Sequence, residues 1–125
     1  VGMLSEEEKD AYDQVVDIFK ESYKVPCTGC NYCMPCPQNV NIPGCFAAYN
    51  TSYSMGRVSG LMQYINGTAA IRTENYLASN CVACGKCEKH CPQNIAIIQS
   101  LKDVSKRMEP FYFNIAMSLM RRGSR

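Results

Sequence analysis

The chain has 125 residues, 46% of them apolar, and a formal net charge of +2, enough for one small domain with its own core. No apolar run reaches the length of a membrane span, Val1 onward carries no signal-peptide pattern, and the basic residues are scattered apart from Arg121, Arg122 and Arg125, which read as a solvated tail and not a nucleic-acid arm. Nine cysteines would suggest disulfides in a secreted chain, but most stand three apart, too close to staple a fold, and the odd total leaves one unpaired, so a reducing, cytoplasmic setting is expected.

Ser5-Glu-Glu-Glu8 reads as a capping box opening a helix, its glutamates at the positive end of the helix dipole. Tyr12, Val15, Val16, Phe19 and Tyr23 form one apolar stripe at helical spacing, and Pro26 should close the helix at about Lys24. Residues 1–25 are therefore an amphipathic helix that either packs on its own domain or connects to something upstream, and residues 26–125 form the domain proper. After a cysteine-rich loop at 26–37, Asn41 as N-cap and Pro43 in the first turn start a helix running through Cys45, Phe46 and Tyr49 to about Ser54, ended by Gly56. Cys45 lies outside the cysteine runs and reads as a small buried hydrophobe. Val58, Leu61, Met62 and Ile65 give a short helix stopped by Asn66-Gly67, and Thr73 is expected to cap another turn or two reaching Ser79. Beyond the second cysteine loop, Asn94 or Ile95 starts a helix carrying Ile97, Ile98, Leu101, Val104 and Met108, which ends before Pro110. Pro110 opens a last helix with Phe111, Tyr112, Ile115, Met117, Leu119 and Met120; it is apolar on more than one face, and burial is the preferred reading over docking on a partner. No stretch alternates as a strand would, so the chain is expected to be all-α.

The two cysteine runs carry the chemistry. Cys81-Val-Ala-Cys84-Gly-Lys-Cys87-Glu-Lys-His-Cys91-Pro92 sets three cysteines three apart, then a fourth before proline. Cys27-Thr-Gly-Cys30-Asn-Tyr-Cys33-Met-Pro-Cys36-Pro37 repeats it one residue shorter, and the tails align as Cys36-Pro-Gln-Asn-Val-Asn-Ile42 against Cys91-Pro-Gln-Asn-Ile-Ala-Ile97. This is the spacing of two-cluster bacterial ferredoxins, in which the fourth cysteine of each run serves the other run's cluster. The expectation is an α-helical ferredoxin with two cysteine-rich loops holding two [4Fe-4S] clusters. Cys27, Cys30, Cys33 and Cys91 would bind one, and Cys81, Cys84, Cys87 and Cys36 the other. An uncrossed set of Cys27, Cys30, Cys33 and Cys36 stays open, as does zinc held by paired CxxC units, although the third cysteine of each run is superfluous for zinc. Gly29 and Gly85 allow the backbone to approach sulfur closely. His90 reads as a loop residue, because a Rieske centre needs two histidines on one iron, and Lys86 and Lys89 read as exposed loop lysines.

Val25-Pro-Cys27-Thr-Gly-Cys30-Asn-Tyr-Cys33-Met-Pro-Cys36-Pro-Gln-Asn-Val-Asn-Ile-Pro43, with Phe46 and Tyr49-Asn50 behind it, resembles the iron–sulfur C-terminal region of a branch of the aldo/keto reductase family. Cys84-Gly-Lys-Cys87, Cys91-Pro-Gln-Asn94 and the acidic lead-in helix fit the same pattern, so the match covers roughly residues 4–105. The resemblance implies an electron-transfer domain, part of or partner to an NAD(P)-dependent oxidoreductase. The nucleotide and the Tyr/Lys/Asp/His catalytic set would belong to an upstream barrel and have no positions here. The implied partner is a redox protein or that catalytic domain. Two other readings are carried: a free-standing helical ferredoxin subunit, like those of heterodisulfide or fumarate reductases, and a zinc-stabilised protein-interaction module docking through residues 110–120. No acid–base set accompanies the cysteines, so catalysis by this chain alone is not expected.

Overall fold

The computed structural model of the protein describes residues 2–123; Arg125 of the expected basic tail lies outside them. Among the described residues there are helices and no strands: α1 (Glu6–Ser22), α2 (Ile42–Ser54), α3 (Arg57–Gly67), a 3₁₀ turn (Ala78–Asn80), α4 (Lys86–His90), α5 (Ile97–Met108) and α6 (Phe111–Gly123).

The capping box of α1 forms as expected. The Ser5 hydroxyl accepts from the Glu8 N–H at 3.3 Å, and the Glu8 carboxylate accepts from the Ser5 N–H at 2.8 Å. The helix stops at Ser22, two residues before the expected end. It buries no residue: Tyr12, Val15, Phe19 and Tyr23 of its apolar stripe are exposed and Val16 is half-buried.

The core lies between α2, α3 and α5. Ile42, Cys45, Phe46 and Ala48 of α2 meet Ile97, Leu101, Val104 and Met108 of α5, the i, i+4, i+7, i+11 face that the sequence presents. α3 comes close to α2 because Gly60 faces Ser52; a Cβ there would lie 2.5 Å from the Ser52 Cβ and 2.6 Å from its Cα. Arg107 ties α5 to the end of α2, its Nε donating to the Ser52 hydroxyl at 2.7 Å while its guanidinium stacks on Tyr53.

Three expectations need correction. Thr73 to Ser79 is not a helix beyond the Ala78–Asn80 turn, because its backbone bonds elsewhere: the Tyr76 N–H donates to Thr68 O at 2.7 Å, and Tyr76 O accepts from the Asn41 N–H at 3.1 Å. α5 starts at Ile97 and not at Asn94 or Ile95, since Asn94 is left-handed (φ 52°) and the Glu88 carboxylate, ten residues back, caps the Ile98 N–H at 2.9 Å. The last helix is not buried as a whole. Phe113 and Met117 face the core, Phe113 against Tyr64, while Phe111, Tyr112, Ile115, Leu119 and Met120 are exposed. A single helix packed on a small body can bury one face only, and among the described residues no other element covers the opposite one.

Candidate metal centre

The two cysteine loops repeat in backbone conformation as well as in sequence. Gly29 and Ala83, Asn31 and Gly85, and Asn39 and Asn94 are equivalent positions, and all six are left-handed: φ is 71° and 57°, 63° and 75°, 55° and 52°. Asparagine and glycine tolerate this region; Ala83 is held there at a cost. Alternating right- and left-handed residues turn successive N–H groups inward and form a concavity suited to anions, a geometry found at many iron–sulfur sites. The Ala83 N–H already points at sulfur, 3.4 Å from the Cys81 Sγ. Each tail closes with the same turn, Asn39 N–H to Cys36 O at 3.1 Å and Asn94 N–H to Cys91 O at 3.2 Å.

The loops face each other across two cavities. The first is bounded by Cys27, Cys30 and Cys33 of the first loop and Cys91 of the second, and is closed by Pro43 and Phe46 of α2 with Ile95 and Ile97. The second is bounded by Cys81, Cys84 and Cys87 with Cys36 of the first loop; Cys33 reaches its edge, and Ile42, Ile98 and Leu101 form its apolar wall. They differ in size, about 20 Å³ for the first and about 390 Å³ for the second. His90 and Lys86 stand at the rim of the second cavity.

Exposure follows the repeat. Cys30 and Cys84, the middle cysteines, are exposed, and the other six are half-buried. Burial pushes the Cys33 thiol up to about 11, and the nearby Cys27, Cys87 and Cys30 push it further in the same direction. Burial likewise raises Cys87, its equivalent in the second loop. Burial thus favours the thiol form at Cys33 and Cys87, so metal binding there must displace a proton. Cys45 bounds neither cavity. It is wholly buried in the core, its Sγ 3.9 Å from Tyr76 O, and burial raises its pKa strongly.

Both loops are anchored just before their first cysteine by side chains that sequence reasoning missed. Ahead of Cys27, Val25 is gripped by Asn50 of α2: Oδ1 accepts from the Val25 N–H at 2.9 Å and Nδ2 donates to Val25 O at 2.8 Å. Ahead of Cys81, the Tyr64 hydroxyl accepts from the Ala78 N–H at 2.8 Å, and Glu109 Oε1 accepts from the Ser79 N–H at 3.1 Å and from the Tyr64 hydroxyl. An asparagine on the buried face of α2 was a visible signal, since a buried amide needs partners. Glu109, just past α5, gave none.

Among the described residues, no three His, Cys, Asp or Glu side chains converge closely enough to hold a single metal ion. A zinc ion needs four ligands about 2.0–2.3 Å from one point; the thiols here stand around the walls of two cavities.

The family model described as a 4Fe-4S dicluster domain matches residues 26–96, which span both loops and the helices between them. No curated protein and no solved structure matches the chain.

Proposed function

The chain belongs to the 4Fe-4S dicluster domain family, and on that footing we propose that it is a two-cluster electron-transfer domain with crossed ligands. Cys27, Cys30, Cys33 and Cys91 hold one [4Fe-4S] cluster; Cys81, Cys84, Cys87 and Cys36 hold the other. The observation that carries this reading is the division of the eight repeat thiols between two cavities, each drawing its fourth cysteine from the opposite loop. Each cluster, when bound, exchanges one electron at a time.

The chain's own residues do the rest. Left-handed positions of this kind form a concavity suited to anions, and the Ala83 N–H on the Cys81 sulfur is one such donor, which lowers the cost of holding negative charge there. Phe46 and Ile97 keep water from the inner side of the first site, and Leu101 and Ile98 from that of the second. Exposed Cys30 and Cys84 bring one edge of each site to the surface, where an electron can enter or leave. Cys33, at the edge of both cavities, lies on the short path between them.

The partner is a redox protein or domain. From the resemblance at Val25–Pro43 we place it with an aldo/keto reductase-type oxidoreductase, whose NAD(P) would sit in its barrel and not in this chain. Residues 1–25 then serve as the connector, and the exposed α1 stripe supports that reading. No helix among the described residues is long and apolar enough to cross a membrane; the cytoplasmic assignment rests on the cysteine chemistry. The test is iron and acid-labile sulfide per chain on anaerobically prepared protein, with an EPR spectrum after dithionite reduction. About eight of each per chain and two interacting centres are expected for two cubanes. Zinc without sulfide would overturn the reading in favour of an interaction module.

A further inference from the structure

Charge is divided unevenly along this chain. Between Glu6 and Ser22 seven acids stand against two lysines, a net charge of −5, which leaves +7 of the chain's total of +2 for everything else. Part of that positive charge gathers around the second cavity. Lys86 stands at its rim, and Lys89 follows three residues later on α4, the spacing of neighbours on one helix face. A further hollow of about 330 Å³ adjoins the cavity, sharing Cys81, Ile98 and Leu101 with it, and is flanked by Lys102 and Lys106 of α5. All four lysines are exposed. Ion pairs join Lys9 to Glu6 and Lys20 to Asp17 on α1, and among the described residues none of these four lysines is in one. The nearby acids are engaged otherwise: Glu88 caps α5, Asp103 accepts from Gln99, and Glu109 holds Ser79 and Tyr64. Val82, which lines the second cavity with Lys86, is 60% exposed beside exposed Cys84. An apolar centre within a charged rim is the anatomy of a protein-docking surface.

We propose that this face, Val82 and Cys84 rimmed by Lys86, Lys89, Lys102 and Lys106, is where a redox partner with an acidic contact surface docks to exchange electrons with the second site. The proposal rests on the two-cluster reading above. Charge complementarity selects the partner: four exposed lysines outnumber Glu88 and Asp103 beside them, and a net positive rim attracts a negative surface and speeds its encounter. A second copy offering its acidic α1 is the rival occupant. That contact would join two different surfaces, a heterologous pairing that propagates into open chains unless its rotation closes, and it would cover the face electrons must cross.

The test uses dithionite-reduced holoprotein oxidised in a stopped-flow instrument by anionic ferric-EDTA or cationic hexaammineruthenium(III), with bleaching of the iron–sulfur absorbance as the readout. At low salt the anionic oxidant should react on the order of ten-fold faster with the native chain than with the Lys102→Glu/Lys106→Glu variant, and the gap should close at high salt. The cationic oxidant should show the opposite trend, and Glu6→Gln/Glu7→Gln/Glu8→Gln should leave the anionic rate unchanged. Equal salt dependence for both oxidants, or a lysine variant as fast as the native chain with ferric-EDTA, overturns the docking face alone. Protein lacking the iron–sulfur absorbance overturns the two-cluster reading instead. Sedimentation showing low-salt association that is lost in both the lysine and the α1 variants would assign the face to a second copy and overturn the acidic-partner proposal.

Discussion

Replacing Asn50 with alanine isolates the contribution of a single side chain to the first loop. Asn50 is 6% exposed and Val25 is 4% exposed, so water cannot readily replace the two hydrogen bonds at 2.9 and 2.8 Å that join them. The two losses are not equal. Val25 O also accepts from the Cys27 N–H at 2.8 Å and keeps that partner; its lost bond is worth the ordinary net value of about 1 kcal/mol. Among the described residues the Val25 N–H has no other acceptor, and a buried donor left unmade costs about 1–3 kcal/mol. Together Asn50→Ala should destabilise the protein by about 3 kcal/mol, read from urea unfolding of holoprotein with an unchanged m-value. The damage should also be local. Val25 lies two residues before Cys27, so iron should be lost first from the site bounded by Cys27, Cys30 and Cys33, and the EPR signal of the other site should outlast it. Asn50→Asp keeps the acceptor but turns a carboxylate oxygen towards Val25 O, and should behave no better. A loss under about 0.5 kcal/mol, the range of ordinary surface changes, or equal loss of iron from both sites, would refute the clamp.

Cys91→Ser should abolish the site bounded by Cys27, Cys30 and Cys33 while iron remains at the other; loss confined to the Cys81–Cys87 site would show by EPR that the ligands are not crossed. Ala83→Gly relieves a left-handed alanine whose glycine equivalent in the first loop is Gly29, and should raise the urea midpoint by the equivalent of up to about 1 kcal/mol; a fall would mean that the alanine is not strained there. Alkaline pH should weaken the fold through Cys45 and Tyr64. Burial raises both above their ordinary values of 9.0 and 10.0, so below pH 9 the two states hold the same protons and the full stability is present. Above that, the unfolded chain loses protons the folded chain retains, and stability falls by up to about 1.4 kcal/mol per pH unit for each group. Cys45→Ala should flatten the decline in urea midpoint between pH 9 and 11; an unchanged slope would clear the buried thiol.

What could be read from the sequence depended on how near the partners lie along the chain. Ser5 and Glu8 are three residues apart and form their capping box; Asn41 accepts from the Gly44 N–H at 3.2 Å, as an N-cap should. The repeat was legible because it is written in residue types, and the left-handed positions followed from it in part: Gly29, Gly85 and the two asparagines of the Cys-Pro-Gln-Asn tails favour that region, whereas Ala83 does not announce it. The features that failed to show bridge long separations. Asn50 reaches back 25 residues to Val25 and Glu109 reaches 30 to Ser79, and neither pairing has a local signature. The segment before Ser79 looked helical by composition, yet its backbone was claimed by Thr68 and Asn41. In α6 every apolar residue was visible, but which of them face inward is decided by the turn at Pro110 and by the position of Tyr64.

The mixing of both loops in each cavity has a consequence for how the protein is made. The chain emerges from the ribosome from its amino end, so the Cys27–Cys36 loop is released first, followed by α2 and α3. Neither cavity can then be lined: the first awaits Cys91 and Ile97, the second awaits Cys81, Cys87 and Leu101. Four thiols spaced three apart are left to wait while more than fifty further residues are added, open to oxidation and to whatever metal the cell offers. The two sites therefore become available almost together, late in synthesis, and a chain cut short within α4 would carry six or seven of the repeat cysteines without completing the first cavity.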